Sequence, residues 1–368
     1  MVRQFYPALG GFEDVVLNLA RLQRSEWDID ARVVTLDRIF SNPGLVLLPE
    51  DEVEQVPVTR IPWRGSSRYP LAPRVLAKLG GCDILHVHAI DFFFDYLALT
   101  RPLHRRRLVV STHGGFFHTP KWARVKRVWF RTLTRASARA YDAVVAVSQS
   151  DAAQFKPLLG SKVVQIENGV NLQKYAQSPG RPRHPRRIVT FGRMTRHKRL
   201  DRLVALLATL RRHEPGWELV IAGPPGDHPA AELVTAAEQA GCAGSLTIRG
   251  ALSAAELAVE IAEASWFGSA SAFEGFGLAA VEAAGAGLIP VLSNIPPFVK
   301  LQAALGAGFI FDPDQPGRIV PQLLEQAARL PDMTVQARLQ SGVSGYGVEN
   351  MAAEYVQLYQ QILASNRT

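Results

Sequence analysis

Short apolar runs that alternate with longer helical stretches constrain this chain more than any other feature. "ARVVTL", "DILHVH", "RLVVSTHG", "DAVVAVS" and "KVVQIENG" are β-branched runs bounded by polar or glycine residues, and helical patterns fall between several of them. That rhythm belongs to parallel strands joined by crossover helices. It breaks at the Pro/Arg-rich "AQSPGRPRHPRR" (Ala176 to Arg187) and restarts with "RIVTFG", "ELVIAG", "LTIRG", "SWFGSAS" and "LIPVLS". Two α/β domains with parallel sheets follow, over residues 1–175 and 188–345, joined by a linker over 176–187. A chain of 368 residues with 47% hydrophobic content is long enough to give each a core of ordinary size.

Several function classes drop out early. No apolar stretch reaches the roughly 20 residues that a bilayer span needs, and the N-terminus lacks a secretory leader pattern, so a cytoplasmic location is expected. Cys82 and Cys242 lie far apart with no CxxC or His-rich neighbourhood, which reads as two reduced thiols. The absence of a Gly-Lys dipeptide removes the P-loop, and no G-x-G-x-x-G follows a strand. Asp28-Ile29-Asp30 has an Asp-x-Asp shape but precedes a strand, so a solvated turn is expected there and no metal site. The formal charge of +8 is uneven: residues 1–170 carry 23 Lys and Arg against 16 Asp and Glu, whereas residues 171–368 carry 18 against 17. That surplus points to an anionic partner of the first half.

In open α/β sheets ligands sit beyond the carboxyl ends of strands. At one such end "SAFEGFGLAAVEAA" reads as turn then helix, with Gly275 and Gly277 clearing the backbone around Phe276. Free amides at the helix start suit a phosphate or sugar hydroxyls, with Glu274 in the turn and Glu282 about two helical turns on. Taken alone, the segment equally fits a Gly-capped surface helix with two solvated glutamates. After the first strand of the second half, "FGRMTRHKRLDRLV" places Arg193 and Lys198 where two cations can clamp a diphosphate, or simply form a basic loop. In the first half, Gly10-Gly11 precedes a helix, "STHGG" brings His113 to a strand end, and "LHVHAID" does the same for His86, His88 and Asp91. These residue types suit binding a sugar and a phosphate across a cleft.

The order Gly10-Gly11, "STHG", "ENGVN", "GRMTRHK" and "EGFGLAAVE" resembles the retaining GT-B glycosyltransferases with a Glu, seven residues, Glu signature (glycosyltransferase family 4). The likeness covers nearly the whole chain. "VRQFYPALGG", "RGSSRYPLAP", "DFFFDYLALTRPLH", "STHGGFFHT" and "GLIPVLSNIPPFV" are similar to the α-1,3-mannosyltransferase branch that serves xanthan and acetan assembly. The resemblance implies two Rossmann-like domains facing each other across a cleft, with the C-terminal helix (about 346–368) packed back on the first. It implies GDP-mannose as donor and a polyprenyl-diphosphate-linked cellobiose as acceptor. Glu274 would hold the donor sugar beside the amides of Gly275, Phe276 and Gly277. Glu282 would take the ribose, Arg193 and Lys198 the diphosphate, His113 the sugar at the reaction centre, and Gly10-Gly11 the phosphates from the other domain. No cofactor or metal is expected, and the alternatives are another nucleotide-hexose donor or a GT-B epimerase.

Two departures from the family bear on structure. Members usually have glycine after the lysine, whereas Arg199 follows Lys198 here, and "VRQFYP" reads as the inside of a first strand. One more segment stands out. "KWARVKRVWFRTLTRASAR" has seven basic residues and no acidic ones, with Arg124, Arg127, Arg131, Arg135 and Arg139 on one helical face and Trp122 on an adjacent one. A basic face with aromatics beside it suits an anionic membrane surface, where a lipid-linked acceptor is collected, so a peripheral position is expected and no nucleic-acid partner. A core-packed helix with a solvated basic face has the same pattern.

Overall fold

The computed structural model describes residues 1–8, 10–113, 130–175 and 183–365, with the backbone alone at Arg131. It divides into two compact units, Met1–Gly169 with Val348–Thr368, and Val170–Gly347.

The first unit runs α1 (Gly11–Trp27), β1 (Val33–Leu36), β2 (Glu50–Val53), β3 (Val56–Ile61), β4 (Arg64–Ser66), β5 (Tyr69–Leu71), β6 (Ile84–His88), α2 (Phe92–Leu99), α3 (Arg101–His104), β7 (Arg107–Ser111), α4 (Arg135–Arg139), β8 (Ala143–Ala146), α5 (Gln149–Leu159) and β9 (Val163–Gln165). Strands β6, β7, β8 and β9 form a parallel sheet in that order. A smaller sheet has the order β1-β3-β2, with β1 parallel and β2 antiparallel to β3. Strands β1 and β8 are buried at every residue, as expected for parallel strands with both faces covered. "VRQFYP" is not a strand. Val2 donates to Val34 (3.1 Å) towards one sheet, Met1 accepts from His88 (2.8 Å) and donates to the His86 carbonyl (2.5 Å) towards the other, and Ala8 then turns back onto Phe5. Asp28 is the left-handed C-cap of α1, and Asp30 is ion-paired with Arg24 and Arg32.

The second unit holds β10 (His184–Phe191), α6 (Leu200–His213), β11 (Glu218–Ala222), α7 (Ala230–Gln239), β12 (Leu246–Arg249), α8 (Ala254–Glu263), β13 (Ala264–Ser269), α9 (Leu278–Gly285), β14 (Ile289–Ser293), α10 (Pro296–Leu305), β15 (Phe309–Phe311), α11 (Val320–Ala328) and α12 (Met333–Val343). Its six strands are all parallel in the order β12-β11-β10-β13-β14-β15. Numbered from β10, that is 3-2-1-4-5-6, the doubly wound dinucleotide-fold order, with its topological switch between β10 and β13. On α6, Leu200, Leu203, Val204, Leu207 and Leu210 recur at helical spacing and are at most 3% exposed. Burying each contributes about 1.5–3 kcal/mol and fixes the face that α6 turns to the sheet. Trp217 and Trp266, both fully buried, pack 5.8 Å apart in the same core.

Residues 184–187, expected in the linker, are instead the start of β10. Arg187 is drawn into the unit by Glu260 (2.6 Å) and Glu263 (2.7 Å) on α8. Val170–Tyr175, expected in the first domain, belong to the second, where Val170 donates to Tyr346 (2.9 Å) and Tyr175 joins the core. Residues 176–182 of the linker lie outside the described residues. The last helix, α13 (Val348–Ala364), returns to the first unit, and its Tyr359 hydroxyl accepts from Gln23 on α1 (3.5 Å).

Candidate active site

The switch point of the second unit gathers the expected donor residues. Strand β10 ends at Phe191, and Gly192 leaves it with φ +117°, where lysine Nζ of residue 198 folds over its Cα so closely that a Cβ has no room. Arg193 is exposed and, among the described residues, has no ion-pair partner. Arg196–Lys198 form a 3₁₀ turn, after which Arg199 opens α6. Arg199 stands in left-handed conformation (φ 47°, ψ 48°), the backbone for which the family uses glycine. A side chain there costs about 1–2 kcal/mol. Its guanidinium pairs with Asp314, so the loop keeps a glycine-like backbone without the glycine. Lys198 is the inner cation. Its Nζ donates to the Phe191 carbonyl (3.4 Å), burial pushes its pKa down, and Glu274 and Glu282 pull it back towards the charged form.

Across the switch, β13 ends at Ser269 and the chain turns through "SAFEGFG" into α9. Ser271 Oγ donates to Glu274 (2.7 Å) and Ser293 Oγ donates to the Ser271 carbonyl (2.6 Å), so one hydroxyl holds the carboxylate and a second anchors the residue that supplies it. The Ala272 amide donates to the His197 carbonyl (2.7 Å), which ties this turn to the β10 loop. Gly277 caps α9 in left-handed conformation (φ 89°), and a Cβ there would sit 2.7 Å from the Phe298 ring. No side chain caps α9, so the positive end of its dipole faces the ligand side of the sheet. Glu282, in the second turn of α9, is ion-paired with Lys174 (3.5 Å). Arg193, Lys198, Glu274, Gly275, Phe276, Gly277 and Glu282 thus all belong to the two loops that flank the switch or to the first turns of α9. Ser271 and Lys174 escaped the sequence reading. Ser271 sits within the quoted stretch as the partner of Glu274, whereas Lys174 lies in no motif and nothing local marks it.

In the first unit Gly10 is extended (φ −177°) and uncapped by any side chain, and Gly11 is the first residue of α1. His113 ends the β7 segment with φ 45°, uncommon for a non-glycine residue and frequent at functional sites. Its ring lies 4.5 Å from Phe12, edge on, and its Nε2 lies 3.1 Å from His88 Nδ1. Burial pushes the His113 pKa down to about 3. His86 and His88, expected to face a ligand, turn inward instead. Period-two spacing places both on one face of β6, and that face is covered: His86 Nδ1 meets the Tyr359 hydroxyl (2.6 Å) and His86 Nε2 meets Ser111 Oγ (2.8 Å). Asp91 is likewise buried, capping α2 through the Phe93 amide (2.9 Å), and burial raises its carboxyl to about 6. Trp122, Arg124 and Arg127 lie outside the described residues, as does the Arg131 side chain. No group of three or more potential metal ligands occurs among the described residues, and no described helix is long and apolar enough to cross a membrane.

A doubly wound sheet with two cations and two carboxylates at its switch, paired with a second Rossmann-like unit, defines the GT-B class of sugar-nucleotide enzymes. Residues 9–174 match the model of Glycosyltransferase Family 4 and residues 172–330 that of Glycosyl transferases group 1; the chain belongs to this glycosyltransferase family. It is 48% identical over 363 residues to a GDP-mannose:cellobiosyl-diphosphopolyprenol alpha-mannosyltransferase of Komagataeibacter xylinus, covering 98% of this chain and 92% of the relative. The Xanthomonas campestris protein of the same description is 41% identical over 375 residues, covering 100% and 97%. Among solved structures, sucrose-phosphate synthase from Thermosynechococcus elongatus superposes with a TM-score of 0.76 at 17% identity, covering 99% of this chain and 96% of the other. Anabaena HepE in complex with UDP and glucose does so at 0.71 and 17%, covering 98% of each.

Proposed function

We propose that this glycosyltransferase moves mannose, with retention of anomeric configuration, from GDP-mannose to cellobiosyl-diphosphopolyprenol in exopolysaccharide repeat-unit assembly. The printed function of relatives 48% and 41% identical over nearly the full chain supports the donor and acceptor. The observation that supports the site assignment is that Glu274 and Glu282 both act electrostatically on Lys198 at the switch of the second sheet. Departure of GDP builds charge on the diphosphate. Arg193, Lys198 and the amides opening α9 supply the neutralisation, and Gly10-Gly11 are assigned to the phosphates as well. Glu274, steadied by Ser271, accepts hydrogen bonds from mannose hydroxyls beside Gly275, Phe276 and Gly277. Glu282, steadied by Lys174, takes the ribose. His113 meets the sugar at the reaction centre. The basic segment with Trp122, Arg124, Arg127 and Arg131 holds the protein on the inner, anionic face of the membrane where the acceptor resides.

Calorimetry with GDP tests the roles. Glu282→Ala weakens GDP binding itself, whereas Glu274→Ala binds GDP normally and loses transfer by orders of magnitude, because the lost group acts on the sugar. If Glu274→Ala abolishes GDP binding while Glu282→Ala leaves it intact, the two assignments are reversed.

A further inference from the structure

Three imidazoles line up inside the first unit, and only the last of them, His113, has a role so far. The His88 ring lies 5.3 Å from that of His113 and shares the 3.1 Å contact from Nδ1 to His113 Nε2. Two ring nitrogens at that distance hold one proton between them, so His113 Nε2 is committed and only its Nδ1 and its carbonyl remain for a ligand. Behind His88, the His86 ring is stacked 4.0 Å away at 32°. His86 cannot slide, because both its nitrogens are engaged, Nδ1 by Tyr359 and Nε2 by Ser111. Ser111 in turn meets the Tyr355 hydroxyl at 2.7 Å. Both tyrosines stand on α13. Among the described residues no carboxylate hydrogen-bonds any of the three rings. Burial holds the pKa of each well below that of a free imidazole, so the row is neutral.

We propose that His88 is a positioning residue for His113, setting its tautomer and ring orientation, and that His86, clamped by Tyr359 and by Ser111 with Tyr355, transmits this constraint from the C-terminal helix. The inference rests on the reading of His113 as the histidine at the reaction centre. A neutral row suits the task, since each ring then carries one N–H and one lone pair, and the His88–His113 hydrogen bond selects one tautomer of His113. Orientation errors of an ångström at a reacting group are worth about a hundredfold in rate, so a backing of this kind acts on turnover and leaves ground-state binding alone.

The test compares His88→Leu, which keeps the volume and removes the hydrogen bond, with His88→Asn, whose amide nitrogen can take the place of Nδ1. Transfer from GDP-mannose to lipid-linked cellobiose is measured with both, alongside Tyr359→Phe and His113→Ala. His88→Leu is expected to lower kcat by about tenfold or more with donor KM and GDP affinity within about threefold of the parent. His88→Asn is expected to recover most of that loss. Nitrogen-15 shifts of His113 show a single neutral tautomer in the parent and an averaged pair in His88→Leu. A His88→Leu enzyme with parental kcat, or a His88→Asn enzyme as slow as His88→Leu, overturns the proposal. Should His88→Leu fail to fold, Tyr359→Phe decides, since it deletes one hydroxyl, that bonded to His86 and Gln23: a fall in kcat at constant KM supports the relay, and parental kcat overturns it. Full activity in His113→Ala would instead overturn the reaction-centre reading itself.

Discussion

Acidification puts the neutral histidine row under direct strain. The ordinary imidazole pKa is 6.5, and burial lowers those of His86 and His88 well below it. A base with a depressed folded pKa binds its proton in the unfolded chain first, so its contribution to stability is complete above pH 6.5 and is lost as pH falls below that value. His113, pushed down to about 3 by burial, therefore costs about 2 kcal/mol between pH 6.5 and 5, and His86 and His88 add losses of the same sign. Asp91 opposes them. Burial raises its carboxyl from 3.8 to about 6, so the folded state takes up this proton first and regains about 1 kcal/mol between pH 6 and 5. The buried Met1 amino group, lowered from 8.0 to about 5, adds to the loss, so the net is a destabilisation of at least about 1 kcal/mol, a sizeable share of a typical domain stability of about 5–15 kcal/mol. Hydrogen exchange of peptides covering β6 and β7, corrected for the intrinsic pH dependence, reads it as a fall in protection of about tenfold or more from pH 7 to pH 5. His88→Asn, with one fewer buried imidazole, should lose measurably less. Protection that stays level from pH 7 to pH 5 would mean that the row is not held neutral by burial, and the reasoning would fail.

Gly277→Ala combines a left-handed backbone with a Cβ 2.7 Å from the Phe298 ring; a loss of about 1–3 kcal/mol in stability and weaker GDP binding are expected by thermal melting and calorimetry. Arg199→Gly relieves the left-handed strain but gives up the pair with Asp314; these offset, so a melting shift equivalent to under about 1 kcal/mol and transfer activity near the parent are expected. The basic segment predicts that the protein pellets with anionic vesicles and not with neutral ones, and that added salt releases it. Replacing Arg124, Arg127 and Arg131 with serine should then lower activity on the lipid-linked acceptor far more than on a short-chain soluble one, and equal losses on both would remove the membrane role.

The donor loops were legible because they follow strands whose β-branched runs stand out. Once β10 and β13 are recognised, "GRMTRHK" and "EGFG" can only sit at their carboxyl ends, and the parallel order makes those ends neighbours. What stayed hidden depends on tertiary partners. Met1 and Val2 read as strand from their surroundings, yet they bond to two different sheets, which no local pattern encodes. Lys174 meets Glu282 from a position more than a hundred residues away in sequence. His86 and His88 were visible as polar residues in an apolar strand, but whether such residues face a ligand or a covering helix depends on α13, at the other end of the chain. Arg199 was legible as a departure from a glycine, and only its φ of 47° shows that the backbone did not change with the residue.

The central claim is that this chain transfers mannose from GDP-mannose to a lipid-linked cellobiose. Its most direct test incubates the protein with cellobiosyl-diphosphopolyprenol and, in parallel, GDP-mannose, UDP-glucose or UDP-galactose, and follows the lipid-linked product by mass. A trisaccharide product, heavier by one hexose, should form with GDP-mannose at least about a hundredfold faster than with either UDP-sugar. Preference for a UDP-sugar, or no extension of the lipid-linked cellobiose by any of the three, would contradict the claim.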